Sequence, residues 1–183
     1  LSGDNSEIRA ALQIWFEREA ASRHTKLVKR LQSKRYQDSM NHWLDLIDSR
    51  KFSKLAGTLR SKDIRNAVGH RIKCFNKLTA ELMHTSPDED IHQLRKQLKR
   101  IRYVMELDAR TWKSELKTLK ARQELYGQFQ DLHVQIELLE QFRKAAPEVL
   151  PAALNGIIET LETRKAEARK QILPLGGLDG APL

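Results

Sequence analysis

The segment Ile91-His-Gln-Leu-Arg-Lys-Gln-Leu-Lys-Arg-Ile-Arg-Tyr103 holds five Lys or Arg residues and no acid. Side chains of these types bind anions, because Lys and Arg supply charge and N–H donors, and Arg can bridge two oxygens. A helix turns by about 100° per residue, which sorts the segment into two faces. Leu94, Leu98, Ile101 and Met105 form an apolar stripe. His92, Arg95, Lys96, Lys99, Arg100, Arg102 and Tyr103 lie opposite it. The basic row is ~16 Å long at ~1.5 Å per residue. Acidic partners four residues away are missing, so like charges repel along this face. An anion laid across it would relieve that repulsion. An ordinary solvated face is the competing reading, and on the residues alone the two stand level.

Other cations could widen such a face. Arg71 lies beside the apolar stripe of its own helix, between Val68 and Phe75, and is assigned to the groove. Arg65, Lys73, Lys117 and Lys120 are further candidates. Arg23, Lys26, Arg30 and Arg35 form a basic stripe nearer the start of the chain. Asp131 either orients a groove cation or forms an ordinary surface ion pair. Other chemistries find little support. His24, His42, His70, His84 and His133 show no metal-ligand spacing, and His133 with Glu137 is an isolated i,i+4 pair. No glycine-rich phosphate loop occurs. Cys74 has no evident base, so a buried structural thiol is expected. Trp15, Trp43 and Trp112 sit on apolar faces, where core packing explains them. Neither a catalytic constellation nor a cofactor motif emerges.

The elements that must carry these residues are all helical. Strand signals are absent, and Ala, Leu, Lys, Arg, Glu and Gln dominate. A first helix is expected over about 6–31, with Asp4, Asn5 and Ser6 as candidate caps. A second covers about 33–49, with Tyr36, Met40, Trp43, Leu44 and Ile47 facing inward. Residues 50–60 read as a connection. A third helix covers about 61–83, with Ile64, Val68, Ile72, Phe75, Leu78 and Leu82 as its stripe. A fourth starts at Ser86-Pro87, with Glu89 completing a capping box, and runs to about 109. Thr111 caps a fifth, which continues to about 145. A kink or a close helix crossing is expected at Gly127. A sixth helix follows Pro147 and Pro151 and ends near 172. Residues 174–183 read as a disordered tail.

Short turns between long helices make neighbours antiparallel, so residues 61–173 should form an all-α, antiparallel four-helix bundle. Residues 1–60 would be extra N-terminal helices in a second layer. The chain has 183 residues, 31% of them charged and 40% apolar, enough to bury a core. No stretch approaches the ~18 apolar residues of a membrane span, and no secretory leader opens the chain. The single Cys74 excludes a disulfide framework and fits a reducing, cytoplasmic location. A net charge of +9 favours polyanionic partners.

The run from Asp90 to Glu106 resembles the signature helix of the CHAD family, the conserved histidine α-helical domain. The match is His92, then Arg95, then the Lys/Arg cluster ending in Arg102-Tyr103. Gln123-Glu-Leu125-Tyr-Gly127-Gln-Phe-Gln-Asp131-Leu-His-Val134 resembles that family's Leu-Gly…Asp…Val helix. Ser33-Lys-Arg35-Tyr36 resembles its Ser-x-Arg-Tyr element. The similarity extends over about residues 20–145. Tyr126 stands where Leu is usual before the Gly, and Gln130 where Asn often precedes the Asp. The family normally carries two signature helices in two pseudo-symmetric bundles, and one is found here. The resemblance therefore implies a chain that begins after the first signature helix, with residues 1–60 as the remnant of the first bundle.

It further implies non-enzymatic binding of inorganic polyphosphate and association with polyphosphate granules. Arg95, Lys96, Lys99 and Arg102 would contact phosphates, with His92 and Tyr103 as hydrogen-bond donors. Arg100, Arg71, Arg65, Lys73, Lys117, Lys120 and Arg35 would line the remainder of the site. A nucleic-acid-binding helical domain is the second reading, and an accessory domain of a triphosphatase the third. The face lacks groups suited to base readout, and only Tyr103 could stack. No cofactor, metal or membrane partner is expected. A homodimer is compatible with this reading.

Overall fold

The computed structural model describes residues 2–149 and 151–179, with side chains from residue 6 onward. Among the described residues the chain is all-α, with seven α-helices and no strand. They are α1 (Ser2–Leu31), α2 (Lys34–Asp48), α3 (Arg50–Gly57), α4 (Ser61–Ala80), α5 (Asp88–Met105), α6 (Lys113–Ala145) and α7 (Pro151–Ile172). Short 3₁₀ turns follow α5 at Glu106–Asp108 and α7 at Leu173–Leu175. No described helix is long and apolar enough to cross a membrane.

The chain divides into two compact units. One comprises Leu1–Leu59 and Phe142–Leu154, the other Arg60–Gln141 and Asn155–Leu183. In the second unit, α4 to α7 all contribute to one core. Val68 and Phe75 of α4, Leu94, Leu98 and Ile101 of α5, and Tyr126 and Phe129 of α6 are buried there with Trp112. Ala168 and Ile172 close the core from α7. The apolar positions at helical spacing are therefore the buried ones, as amphipathic packing requires.

The first unit differs. Its buried apolar residues, among those described, are Ile8, Phe142 and Leu154. Trp15 meets Phe142 edge-on at 5.7 Å between ring centroids. Helices α2 and α3 bury no residue at all. The inward orientation expected for Tyr36, Met40, Trp43, Leu44 and Ile47 is thus overturned, since all five are exposed. Amphipathic spacing marks a face fit for burial but does not supply its cover. The expected connection at 50–60 is also corrected: Arg50–Gly57 is helix α3, its start capped by Ser49 Oγ accepting from Phe52 N at 3.1 Å.

Local signals explain several boundaries. Ser33 caps α2, its Oγ accepting from Tyr36 N. Helix α1 starts at Ser2, so Ser6 lies inside it, and the side chains of Asp4 and Asn5 fall outside those described. The capping box expected from Ser86 and Glu89 does not form. Ser86 Oγ instead accepts from Met83 N at 3.0 Å, and the Glu89 carboxylate takes Gln93 and Lys96. Helix α6 is continuous through Gly127, and a Cβ there would meet nothing within 4 Å. No close crossing requires that glycine. Cys74 is exposed rather than buried, with His70 Nε2 at 3.8 Å.

The segment after α7 is ordered against the core, contrary to the expected loose tail. Leu175 and Leu178 pack on the core cluster. Arg122 donates to the carbonyls of Leu175 and Gly176 at 2.8 and 3.0 Å. Asn76 donates to Leu178 O at 2.9 Å and accepts from Leu178 N at 2.7 Å. Gly176 turns the chain at φ 58, a region glycine occupies without steric cost. A Cβ on Gly177 would lie 2.7 Å from Asn76 Oδ1, so a side chain there would displace the amide that holds Leu178. Residues 180–183 lie outside the described residues.

Candidate functional site

Helix α5 places its basic row along the seam with α6. Ile91, Leu94, Leu98, Ile101 and Met105 are buried and hold the helix on the core. That packing leaves His92, Arg95, Lys96, Lys99 and Arg102 half-buried, with Arg100 and Tyr103 exposed. His92, Arg95, Lys99 and Arg102 follow one another on one flank at three- or four-residue steps. Arg100 points about 100° away from Lys99 around the helix.

Two glutamines of α6 anchor the ends of this row. His92 Nδ1–H donates to Gln130 Oε1 at 2.5 Å, which turns its other ring nitrogen, Nε2, away from Gln130. Arg102 Nη1 donates to Gln123 Oε1 at 2.9 Å. Arg102 Nε also lies 3.2 Å from Glu106 Oε1, an ion pair outside hydrogen-bond geometry, so one acidic partner four residues away is present after all. Its guanidinium sits 5.0 Å from the Tyr103 ring centroid, within cation–π range. Lys96 reaches Glu89 at 3.5 Å. Between these ends Arg95 and Lys99 form no ion pair among the described residues. A neutral amide orients a cation without cancelling its charge. Among the described residues the row therefore pairs with carboxylates at Lys96 and Arg102, and Arg95 and Lys99 keep their charge unpaired.

A second network sets the start of α5. Asp88 receives Arg169 Nη2 at 2.5 Å, Lys165 Nζ at 3.1 Å and His133 Nδ1 at 3.0 Å. Arg169 also donates to the carbonyls of Ser86 and His84 and lies over the Phe129 ring. These contacts tie α5 to α6 and α7. Burial pushes the Asp88 carboxyl up, but hydrogen bonds from Lys165 and Arg169 outweigh it and hold it below its usual value. Burial likewise opposes the charge on Lys165, and Glu162 and Asp88 more than compensate, so its pKa is raised. Beside this network, Asp88, Glu89, His92, Gln130, His133 and Glu137 line a recess of about 230 Å³. No cluster of three or more His, Cys, Asp or Glu able to hold a metal exists among the described residues.

The remaining sequence candidates scatter. Arg71 is half-buried on α4, while Arg65, Lys73, Lys117 and Lys120 are exposed. No hydrogen bond or ion pair joins any of them to the α5 row among the described residues. Arg65 lies near Asp108, whose carboxyl is held low by hydrogen bonds from Ser61 and Thr111 and by that guanidinium. Arg35 is exposed on α2, in the other unit. Asp131 is exposed and forms no ion pair among the described residues. It lines a recess with Arg164 of α7 instead of orienting a cation on α5.

Sequence reasoning missed the anchoring role of Gln123 and Gln130, and the Asp88–Lys165–Arg169 network. Gln130 had stood out only as a departure from a pattern, yet its amide orients His92. Tyr126, the other departure, is buried, and its hydroxyl meets no partner among the described residues. Burial pushes its pKa up to about 12, so the phenol stays neutral.

Searches of curated proteins and of solved structures each find no match. The family model for the CHAD domain matches residues 2–140, most of the chain, including α5 and nearly all of α6. The chain belongs to the CHAD family.

Proposed function

We propose that this chain binds inorganic polyphosphate, without catalysis, along the α5 face. The observation that carries the reading is the uncompensated centre of the row. Among the described residues Arg95 and Lys99 have no acidic partner, and neutral glutamines hold His92 and Arg102 on either side. A linear polyanion matches this geometry, because its charges repeat along a line as the cations do. Arg95 and Lys99 supply charge at the centre. Arg102 offers its free guanidinium N–H groups, and His92, oriented by Gln130, marks the start of the row. Tyr103 and Lys96 extend the row at its edges. Association with polyphosphate granules in the cytoplasm follows if such binding is strong in the cell.

The test is a competition titration at physiological salt. Labelled long-chain polyphosphate is bound to the chain and challenged with duplex DNA and with short phosphates. Displacement by long polyphosphate alone is the expected result. Equal displacement by DNA would mark a generic cationic surface. Lys99→Ala and Arg102→Ala should each weaken binding about tenfold, the scale of one lost charge-assisted hydrogen bond. Unchanged affinity in both variants would overturn the assignment of the face.

A further inference from the structure

His92 differs from the other basic groups of the α5 row because its charge is not permanent. Lys and Arg keep theirs across the neutral range, whereas an imidazole gains or loses one between about pH 5 and 8. Helix α6 fixes the tautomer of the ring. Nδ1–H donates to Gln130 Oε1 at 2.5 Å, so the neutral ring carries its proton on Nδ1 and a lone pair on Nε2. Nε2 has no hydrogen-bond partner among the described residues. A lone pair repels a phosphate oxygen. Once protonated, Nε2 presents an N–H and the ring a positive charge, and both attract that oxygen.

The charged groups around His92 do not bond to its ring. Asp88 of α5 is taken by Lys165 and Arg169 of α7 and by His133 of α6, and Glu89 is taken by Lys96. Glu137 of α6 lies 3.6 Å from His133 Nε2. These acids line the recess beside His92, but each has a cation or an imidazole of its own. Arg95 and Lys96 follow His92 by three and four residues and are its neighbours on the helix surface. The Gln130 carbonyl accepts from Nδ1–H in both forms of the ring, so protonation at Nε2 requires no rearrangement.

We propose, on the basis of the polyphosphate reading above, that Gln130 is a positioning residue that makes His92 a proton-dependent phosphate contact. Polyphosphate then binds more tightly as pH falls, and binding draws a proton from solvent onto His92 Nε2. Below the imidazole range the start of the row holds a cation with an N–H to give. Above that range it holds a lone pair, and binding rests on the Lys and Arg residues alone. Linkage makes the effect reciprocal: a proton that favours the anion is itself favoured by the anion. Asp88 is held below its usual carboxyl value, so the network that seats α5 persists through the range in which an imidazole titrates.

The test is the affinity of the whole chain for long-chain polyphosphate, whose internal phosphates stay ionised near neutrality, from about pH 8.5 to about pH 5.5. Ionic strength is held constant, because salt alone shifts such affinities. Affinity should rise about tenfold on acidification, the scale of one charge-assisted hydrogen bond. His92→Gln should remove most of that rise. Gln130→Glu sets a carboxylate against Nδ1–H, favours the charged ring, and should carry the rise about one pH unit higher. Circular dichroism checks that both variants keep their helices. In the free chain at high pH, ¹⁵N shifts of the His92 ring should show a protonated Nδ1 and a bare Nε2. The opposite tautomer would overturn the proposal whether or not polyphosphate binds. Binding that is flat with pH, or a rise that survives His92→Gln, would overturn it and leave the polyphosphate reading intact. No binding at any pH would overturn both.

Discussion

The two units use the same helical vocabulary to opposite ends. In α4 to α7, apolar residues at three- and four-residue spacing face one another and form a single core. In α2 and α3 the same spacing produces a face with no buried residue. Leu98 is fully buried, whereas Leu55 is 70% exposed. Amphipathicity is a local property of one helix. Burial depends on whether a second apolar surface arrives opposite it. The contrast extends to charge: α5 holds Arg95 and Lys99 without an ion pair among the described residues beside a dense core, while α2 carries both signs beside an uncovered stripe.

The sharpest way to break this comparison is truncation on each side. Leu98→Ala should cost about 3–4 kcal/mol through lost burial and a residual cavity. Leu55→Ala should cost under about 0.5 kcal/mol, the range of an exposed surface change. Hydrogen exchange in α5 and α3 measures each locally. Similar losses at the two sites would mean that the two faces are covered alike.

A smaller effect is expected at the network that seats α5. Asp88→Ala removes the anion that Lys165 and Arg169 share, leaving Lys165 its Glu162 partner. The cost should be about 2 kcal/mol, below the full buried-pair value because all three side chains retain some exposure. The sign of its pH dependence follows from the lowered carboxyl pKa. The Asp88 contribution is fully present above the unfolded carboxylate value near ~4 and is lost as pH falls through the lower folded value. Stability of α5 against acid, followed by hydrogen exchange, should fall less steeply below about pH 4 in Asp88→Asn than in the unmodified chain.

A smaller effect again, at Tyr126, has the opposite sign. Tyr126→Phe removes a buried hydroxyl that meets no partner among the described residues. Its replacement should stabilise the core by up to about 1 kcal/mol, since an unsatisfied buried polar group costs that order. A loss of stability would reveal a partner for that hydroxyl. The core would then contain a polar contact that the apolar pattern conceals.

Much of the architecture was legible from residue order alone. The all-α class, the buried stripe of α5 and the cationic face opposite it depend on the 3.6-residue period, which is a property of the backbone. The family signature lies on that same helix and was legible as a resemblance in residue order, not from the period. Contacts between residues distant in the chain were not legible. Asp88 meets Arg169 across 81 positions, and Asn76 meets Leu178 across 102. No local pattern distinguishes those partners from the many other bases and amides.

The sequence alone therefore determined most of the helices, though not α3, together with which face of α5 is basic and which stripes are apolar. These are consequences of side-chain type and backbone periodicity acting within a few turns. Tertiary structure decided which stripes were covered, which amides hold His92 and Arg102, and that the segment after α7 is strapped to the core. Those outcomes depend on what packing brings within hydrogen-bond reach, and a one-dimensional pattern carries no measure of that distance.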